Sequence, residues 1–402
     1  MSAPRGMHGL AAALVATTGA QALATLAVYV MPVLAPTAAG DLGVAPELVG
    51  TQVAIIYAMA AAASMISGRV LARIGAARST QLALLLASLG TAGVVVGGVP
   101  GAAIGAVLLG IGYGLTTPAA TQVLSRLASP ARRNLIFSVK QMGVPLGGAL
   151  AGILLPSLAL LLDWRGAVLV VVGALVLATI ALSPFHQPWD AGSARNAEAG
   201  ARLGALAVLR ASRGLMAIAA AGALFSAVQL SLGAFAVTML VREFGWGPVA
   251  AGAAAAATQA SGAVARVIWA LLADRSRAGL AMLAAIGLGS AVAALAMPFA
   301  LHWPVPAVVA LLCLFGACAA GWTGIAMAEV ARLAPPGAAG TATGGVLGVT
   351  YTGVVLGPLI FAGAVALFGS YTFAFAVIAA LPLLGAGIAW KAHRRASAPQ
   401  AP

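Results

Sequence analysis

The sequence predicts an all-α polytopic membrane protein with twelve transmembrane helices in two six-helix bundles. Of the 402 residues, 62% are apolar and only 7% are charged, whereas soluble domains carry about a quarter charged residues. Twelve apolar runs of about 18 to 26 residues alternate with short polar breaks, and a run of about 20 crosses a bilayer. Short motifs also recur about 200 residues apart. Together these observations exclude a soluble globular protein.

The twelve runs, which we number spans 1 to 12, have the composition of helices. They are rich in Ala, Gly, Leu and Val, and they are too long for barrel strands, which alternate over about ten residues. The chain's 50 glycines allow helix backbones to approach closely in lipid. The runs begin near Leu10, Leu48, Thr80, Ala102, Leu135, Gly166, Gly214, Pro248, Leu280, Val305, Thr341 and Tyr371.

Basic residues predict which side of the membrane each loop occupies. Seventeen of the 21 fall in segments on the same side as the N-terminus, and Arg165 and Arg242 fall on the other. The positive-inside rule therefore places both termini and the longest loop in the cytoplasm of a multi-pass protein of the inner (plasma) membrane. Because the positive charges are spread over these loops, the net charge of +13 is explained by topology and implies no nucleic-acid partner.

The domain boundaries are predicted from the longest loop, which is rich in proline, glycine and arginine. We expect an N-terminal six-helix bundle over 1–183, a cytoplasmic linker over 184–213, a C-terminal six-helix bundle over 214–392 and a cytoplasmic tail over 393–402.

Repeated motifs indicate that the two bundles are parallel copies. RLASP beginning at Arg126 recurs as RLAPP beginning at Arg332, an offset of 206, and Gly143 in span 5 matches Gly353 in span 11 at an offset of 210. Six spans return the chain to the same side, so the copies have the same orientation. Many secondary transporters are built from repeats of this kind.

The loop after span 2, GRVLARIGAAR from Gly68 to Arg78, resembles the signature of the major facilitator superfamily. In that family the loop forms a cytoplasmic latch, so the resemblance implies latch roles for Gly68, Arg73, Asp274 and Arg275. Ala72 stands where the signature has an aspartate, whereas the repeat copy keeps the acid as Asp274. This departure shifts the expected latch to Asp274. The alternative is that the arginines only set topology.

A second motif resembles the glycine and proline motif of exporters in that superfamily. It reads SVKQMGVPLGG from Ser138 to Gly148, and span 11 carries the fuller GVVLGP from Gly353 to Pro358. Small residues four apart followed by proline also predict close helix packing and a bend. The motif therefore does not establish export.

Two basic residues fall inside spans. Arg266 lies eight residues before Asp274, about 12 Å into the membrane, and Lys140 lies six residues after Asn134, about 9 Å deep. No Asp or Glu lies in the middle of any span, so an internal ion pair is hard to supply and an anionic substrate is the natural complement. The alternative is that both side chains extend toward the cytoplasm.

Other polar residues within the spans are candidates for orienting a substrate. Each is also compatible with a contact between helices or with core packing. They are Gln21, Tyr113, Gln141, Gln229, Trp322 and Tyr351. Related organic-anion carriers of the superfamily use basic residues to hold their substrates, so the resemblance implies a small carboxylate at Arg266 and Lys140.

These observations predict a secondary transporter that moves a small organic anion by alternating access. We expect a monomer in the lipid bilayer, driven by symport with protons as the coupling ion, by exchange or by the substrate's own gradient. An efflux carrier for neutral or lipophilic compounds is the alternative, and a non-transporting sensor or scaffold is a third reading. The histidines lie outside the spans, and no catalytic or metal motif occurs, so we expect no enzyme activity, metal or cofactor.

Overall fold

The computed structural model describes residues 5–43, 48–185, 189–190 and 204–397, and this part of the chain is almost entirely helical. Short 3₁₀ turns lie at Pro130–Arg132, Ser183–Phe185 and Met297–His302, and 204–211 form a further short helix. The longer helices are Arg5–Leu42, Leu48–Leu127, Arg133–Gln141, Gly143–Ala181, Arg213–Arg242, Pro248–Ser276, Gly279–Ala296, Val305–Gly321, Thr323–Leu333, Ala339–Phe368, Tyr371–Ile378 and Ala380–Ser397.

Within the described residues, the helices divide into twelve membrane spans. Nine stretches are long and apolar enough to cross a bilayer, but one has 77 residues and another has 56. The first contains two turns, at Gly75 (φ 83°) and Gly98 (φ 55°), and therefore holds spans 2, 3 and 4. The second turns at Asp163 (φ 64°) and holds spans 5 and 6. The predicted fold class is confirmed.

These turns need residues that tolerate a positive φ. Glycine has no Cβ and adopts this conformation without steric cost, as at Gly75 and Gly98. Asp163 is not a glycine, but its Oδ1 accepts a hydrogen bond from the Gly166 backbone N–H at 2.8 Å. The aspartate thus caps the start of span 6, which stabilises a conformation that an L-residue otherwise avoids.

The regular helical hydrogen bonding of spans 5 and 10 is interrupted at one residue in each. In span 5, Pro145 lacks a backbone donor, and the helix breaks at Met142, whose N–H bonds Val139 O at 3.0 Å in a 3₁₀-type turn. Span 10 breaks at Trp322, and the helix resumes with a bond from Ala326 N to Trp322 O at 2.9 Å. Both interruptions lie beside candidate site residues.

The chain forms two compact units. The first comprises residues 1–128, 139–211 and 331–348, and the second comprises 129–138, 212–330 and 349–402. The first unit thus includes the start of span 11, and the second unit includes the start of span 5. The predicted boundaries at 183 and 214 remain a prediction.

In the first unit, span 5 packs on span 1 through glycines. A Cβ at Gly143 would lie 2.6 Å from Thr18 O, and one at Gly147 would overlap Ala22 O. Only glycine allows the two backbones to approach this closely. The four-residue spacing of small residues therefore packs span 5 against span 1.

The second unit repeats this contact between spans 11 and 7. A Cβ at Gly353 would overlap Ala223 O, and one at Gly357 would overlap Ala227 O. Ala223 and Ala227 lie 205 residues after Thr18 and Ala22. The sequence repeat that relates the glycines of spans 5 and 11 therefore also relates spans 1 and 7, which these glycines contact.

An aromatic cluster fills the core of the second unit. The ring centroids of Phe361 and Phe375 are 4.4 Å apart, and those of Phe235 and Phe361 are 4.7 Å apart. Phe315 meets Phe375 edge-on at 5.6 Å. These rings fix how spans 7, 10, 11 and 12 pack together within this unit.

Large apolar side chains are also exposed along the spans. Leu160 is 90% exposed, Val249 88% and Val96 86%. Contiguous exposed apolar surface of this kind is costly in water but suited to hydrocarbon. Together with the long apolar helices, it marks the chain as a multi-pass membrane protein.

Candidate functional site

The centre of the first unit holds a buried lysine in a cage of neutral oxygens. Lys140 is 1% exposed. Its Nζ donates hydrogen bonds to Gln21 Oε1 at 2.9 Å, Thr117 Oγ1 at 2.7 Å and Gln141 Oε1 at 2.9 Å. An ammonium has three donors and no acceptor, so these bonds satisfy it completely. We call Lys140 and these three partners the lysine cage.

Three helices build the lysine cage. Gln21 lies on span 1, Thr117 on span 4, and Lys140 with Gln141 at the end of the short helix that precedes the break in span 5. Gln21 Oε1 also accepts from Thr117 Oγ1 at 3.0 Å and from Thr116 Oγ1 at 3.1 Å. One amide oxygen therefore joins all three helices.

The lysine cage contains no negative charge. The three oxygens that accept from Lys140 Nζ belong to two side-chain amides and one hydroxyl, all of which are neutral. The ammonium of Lys140 is thus hydrogen-bonded but not neutralised. Burying a charge in this state is unfavourable unless a counter-charge arrives or the proton leaves.

Tyr113 lies next to the lysine cage. Its carbonyl accepts from Thr116 Oγ1 at 2.8 Å, and its ring meets that of Tyr57 edge-on at a centroid distance of 5.9 Å. Four of the residues proposed from sequence, Gln21, Tyr113, Lys140 and Gln141, are therefore close together in this unit.

Arg266 is in the second unit and is equally buried, at 4% exposed. Its Nε donates to Ala320 O on span 10 at 3.0 Å. Ala320 lies in the last turn of the helix Val305–Gly321, just before Trp322. Arg266 therefore joins span 8 to the interrupted part of span 10.

Two other predicted residues pair with each other in this unit. Trp322 Nε1 donates to Gln229 Oε1 at 3.1 Å, and the Trp322 ring lies edge-on to Phe225 at 5.8 Å. Tyr351 is 9% exposed and follows Thr350, whose carbonyl accepts from Ser226 Oγ at 2.9 Å. The candidates of span 7 thus contact spans 10 and 11 within the unit.

Asp274, the predicted latch residue, caps the start of span 5. Its Oδ1 accepts from Asn134 N at 3.0 Å and Asn134 Nδ2 at 2.7 Å, and its Oδ2 accepts from Leu135 N at 3.0 Å. A carboxylate at this position satisfies unpaired N–H groups and interacts favourably with the helix dipole. Arg73 and Arg275 are exposed.

The repeat-related cap of span 11 uses a different residue. Asp274 corresponds to Ala72, which offers no acceptor side chain. Instead Gln122 Oε1 accepts from Gly340 N at 2.9 Å, and its Nε2 donates to Gly337 O at 3.0 Å. We did not identify this role of Gln122 from the sequence. The repeat offset of 206 relates Asn134 to Gly340. It was the sequence signal that could have indicated a second capped helix start at Gly340.

Gly68 packs against the same end of span 11. A Cβ at Gly68 would overlap the side chain of Thr341. Both residues line a cavity of about 780 Å³, together with Arg69 and Arg210. Glycine is thus required where spans 2 and 11 meet within the first unit.

Comparison with known proteins identifies the family. The model described as the Major Facilitator Superfamily matches residues 17–344 and 221–402. The chain belongs to the Major Facilitator Superfamily. It is therefore a membrane transporter of that superfamily, as the loop after span 2 indicated. No curated protein matches the chain.

Solved structures of this superfamily share the fold. A variant of the Escherichia coli fucose:proton symporter FucP is 15% identical with a TM-score of 0.75, covering 96% of this chain and 98% of its own. The proton:xylose symporter XylE, bound to 6-bromo-6-deoxy-D-glucose, is 18% identical with a TM-score of 0.67, covering 96% and 95%. The human organic anion transporter MFSD10 (TETRAN) is 18% identical with a TM-score of 0.72, covering 96% and 100%. At these identities the likeness extends to the fold alone.

Proposed function

We propose that the protein is a secondary transporter for a small carboxylate, which binds the ammonium of Lys140. The observation that carries this proposal is a buried cation held by three neutral oxygens. A charge in a span costs about 2.5 to 3.5 kcal/mol on insertion scales. An anionic substrate offsets that cost each time it binds.

The lysine cage suggests how the carboxylate enters. Gln141 is its most exposed acceptor, at 7% against 5% for Thr117 and 1% for Gln21. We expect a carboxylate oxygen to replace Gln141 Oε1 at the ammonium. The displaced amide can then turn its NH₂ toward the second carboxylate oxygen, because an amide offers two donors as well as an acceptor. Gln21 and Thr117 hold the lysine throughout.

Arg266 is the second proposed contact for the carboxylate. A guanidinium has five donors in a planar fork, and Nε bonds Ala320 O. Gln229, Trp322, Tyr113 and Tyr351 are proposed to orient the rest of the substrate. Each of these roles needs its own test.

Protons are the proposed coupling ion. FucP and XylE are named as proton symporters, and MFSD10 as an organic anion transporter. An anion that enters with one proton moves no net charge, so the membrane potential does not oppose its uptake. We propose a monomer in the plasma membrane, with both termini cytoplasmic.

Uptake into proteoliposomes tests this proposal. The purified protein would be given labelled L-lactate, succinate and benzoate, with L-fucose and D-xylose as neutral comparisons. We expect uptake of at least one acid and of neither sugar. Sugar uptake without acid uptake would overturn the carboxylate assignment.

The role of Lys140 is tested in the same vesicles. Lys140→Gln removes the charge, and we expect at least about a tenfold loss of acid uptake, since a hydrogen bond to a charged group contributes about 1.5 to 3 kcal/mol. Lys391→Gln is the matched control, because Lys391 is the other lysine of the chain and is exposed. Equal uptake by both variants and the parent would contradict the proposal.

A further inference from the structure

We infer that Lys140 is the proton-binding site that couples transport to the proton gradient, with the lysine cage holding both its ammonium and its amine. This inference rests on the proposed function for the identity of the transported substrate. The assignment of the proton site to Lys140 does not depend on that identity.

The hydrogen bonds of the ammonium form are all present in the structure. Nζ donates its three hydrogens to Gln21, Thr117 and Gln141. Thr117 Oγ1 accepts from Nζ at 2.7 Å, and its own hydroxyl donates to Gln21 Oε1 at 3.0 Å. The ammonium therefore has one acceptor for each hydrogen.

The same atoms satisfy the amine form after one rotation. When Nζ gives a proton to water, it keeps two N–H donors and gains a lone pair. Gln21 Oε1 and Gln141 Oε1 accept the two N–H groups. The Thr117 hydroxyl turns from Gln21 to donate to the lone pair, since a hydroxyl is both donor and acceptor. Gln21 Oε1 then still accepts from Nζ and from Thr116 Oγ1, which lies 3.1 Å away.

Each atom that takes part in these hydrogen bonds of the lysine cage keeps a partner in both forms. The ammonium and amine states therefore differ mainly by one charge. A site that carries a proton must gain and lose that charge with a small change in free energy. A lysine surrounded by carboxylates would be held as an ammonium, and one surrounded by donors would be held as an amine. Neutral oxygens and a rotatable hydroxyl favour neither so strongly.

The titratable side chains on the helices that form the lysine cage are tyrosines near it and charges at the helix ends. Span 1 carries Tyr29 two turns after Gln21 and Asp41 near its end, and span 4 carries Tyr113 one turn before Thr117 and Arg126 near its end. Span 2, which meets Tyr113, carries Tyr57. A tyrosine hydroxyl is neutral at physiological pH, so these neighbours leave Lys140 as the group that changes charge.

Helices that pack on the start of span 5 carry further charges. Asp274 of span 8 bonds Asn134, about 9 Å before Lys140 along the helix, and span 8 also carries Arg266. Span 10 meets Ser138 through Gly324 and carries Glu329 five residues later. Asp274 accepts hydrogen bonds from backbone N–H groups at the start of span 5. The hydrogen-bond acceptors of Lys140 are the neutral oxygens of the lysine cage.

Nuclear magnetic resonance can follow the proton directly, because the chain has two lysines. Protein labelled with ¹³C-lysine in nanodiscs gives two Cε signals, and Lys391→Gln assigns them. We expect the Lys140 signal to move between its ammonium and amine positions over the pH range in which transport is measured. A Lys140 signal that keeps one position across that range would overturn the inference, whatever the protein transports.

Thr117→Val tests the proposed rotation in the same experiment. Valine removes the acceptor of the ammonium and the donor to the amine while keeping the shape of the side chain. We expect a displaced or lost Lys140 transition. The matched control is Thr121→Val, one turn further on span 4 and also buried, which should leave the transition unchanged. Equal behaviour of the two variants would contradict the role of Thr117.

Transport assays distinguish this inference from the proposed function. Lys140→Met should abolish uptake of lactate, succinate or benzoate driven by a pH gradient. Continued gradient-driven uptake by Lys140→Met would contradict both the proton site and the contact between Lys140 and the carboxylate. Acid uptake by the parent, together with a Lys140 signal that keeps one position across the pH range, would refute the proton site but leave the carboxylate proposal standing. Absence of acid transport in the parent would refute only the carboxylate proposal.

Discussion

Gln122 Oε1 accepts a hydrogen bond from the backbone N–H of Gly340 at 2.9 Å, at the start of span 11. At the repeat-related start of span 5, Asp274 accepts three hydrogen bonds from Asn134 and Leu135. One helix start thus has a neutral cap and the other a charged one. The superfamily loop has lost its acid at Ala72, and an amide from span 4 performs the corresponding capping.

The two caps should differ in strength. Gln122→Ala removes the acceptor of the Gly340 N–H and the donor to Gly337 O, and the loss of a helix cap typically costs about 0.5 to 2 kcal/mol. Asp274→Ala removes three bonds and a favourable charge. Thermal unfolding in detergent should therefore give the highest Tm for the parent, a lower Tm for Gln122→Ala and the lowest Tm for Asp274→Ala. A lower Tm for Gln122→Ala than for Asp274→Ala would contradict this ranking.

Gly68→Ala should impair the protein through steric overlap with Thr341. The added Cβ meets all three side-chain heavy atoms of Thr341, and overpacking typically costs about 1 to 3 kcal/mol. We expect a lower Tm and reduced transport, with recovery in the double variant Gly68→Ala/Thr341→Gly. Gly152→Ala is the control, because nothing lies within 4 Å of a Cβ there. Failure of the double variant to recover either property would show that the overlap is not the cause.

Much of the fold follows from the sequence because the bilayer sets its lengths. A span needs about 20 apolar residues, and the turns at Gly75, Gly98 and Asp163 fall where that length is used up. The glycine repeat also predicted the helix contacts at Gly143 and Gly353, since small residues matter only where backbones touch. Span lengths, turns and glycine spacing are local or periodic features, so they can be predicted from a single sequence.

The contacts of the site could not be read in the same way. The depths of Lys140 and Arg266 follow from counting residues, but their partners do not. The lysine cage joins spans far apart in sequence, and Arg266 bonds a backbone carbonyl, which has no sequence signal. The break at Trp322 was likewise missed, whereas the break at Met142 is explained by Pro145. Side-chain partners depend on helix rotation, which hydropathy does not fix.

The bond between Trp322 and Gln229 should contribute a measurable coupling energy. Trp322→Phe leaves Gln229 Oε1 without this donor, and Gln229→Leu leaves the indole N–H without its acceptor. Each single change should cost about 1 to 3 kcal/mol of unfolding free energy, because it strands a buried polar group. The double variant should cost less than the sum. Strict additivity in a denaturation cycle would contradict a direct bond.

Asp41 should make the C-terminal end of span 1 sensitive to acid. Hydrogen bonds from Trp164 Nε1 at 2.9 Å and Arg165 Nη1 at 2.8 Å hold the pKa of Asp41 below its ordinary value. The folded-state pKa is thus lower than the unfolded one. Its stabilising contribution is present above the unfolded value and is lost as the pH falls through the lowered folded pKa.

Trp164 reports this titration. Its fluorescence, taken as the difference from Trp164→Phe, should change at acid pH as Asp41 gains a proton. Asp41→Asn should lack that step and resemble the acid form at neutral pH. Arg165→Gln removes one of the two donors and should move the step to higher pH. A step of equal size and position in Asp41→Asn would assign the change to another group.

Arg266 should affect both stability and substrate binding. Arg266→Gln loses the charge and the Nε donor to Ala320 O, whereas Arg266→Lys keeps the charge but not the planar fork. We expect both variants to lower Tm, since both lose the bond from Nε to the carbonyl of Ala320. If the guanidinium also holds the carboxylate, Arg266→Gln raises KM for the transported acid by about tenfold, and Arg266→Lys raises it less.

Arg242→Gln is the matched control for Arg266, because Arg242 is an exposed arginine at the end of span 7. It should leave both Tm and KM close to those of the parent. A lower Tm with an unchanged KM in Arg266→Gln would limit Arg266 to joining spans 8 and 10. Lys140 would then be the sole cation within the spans that contacts the substrate, and the Lys140→Gln vesicles described above would show the whole electrostatic effect.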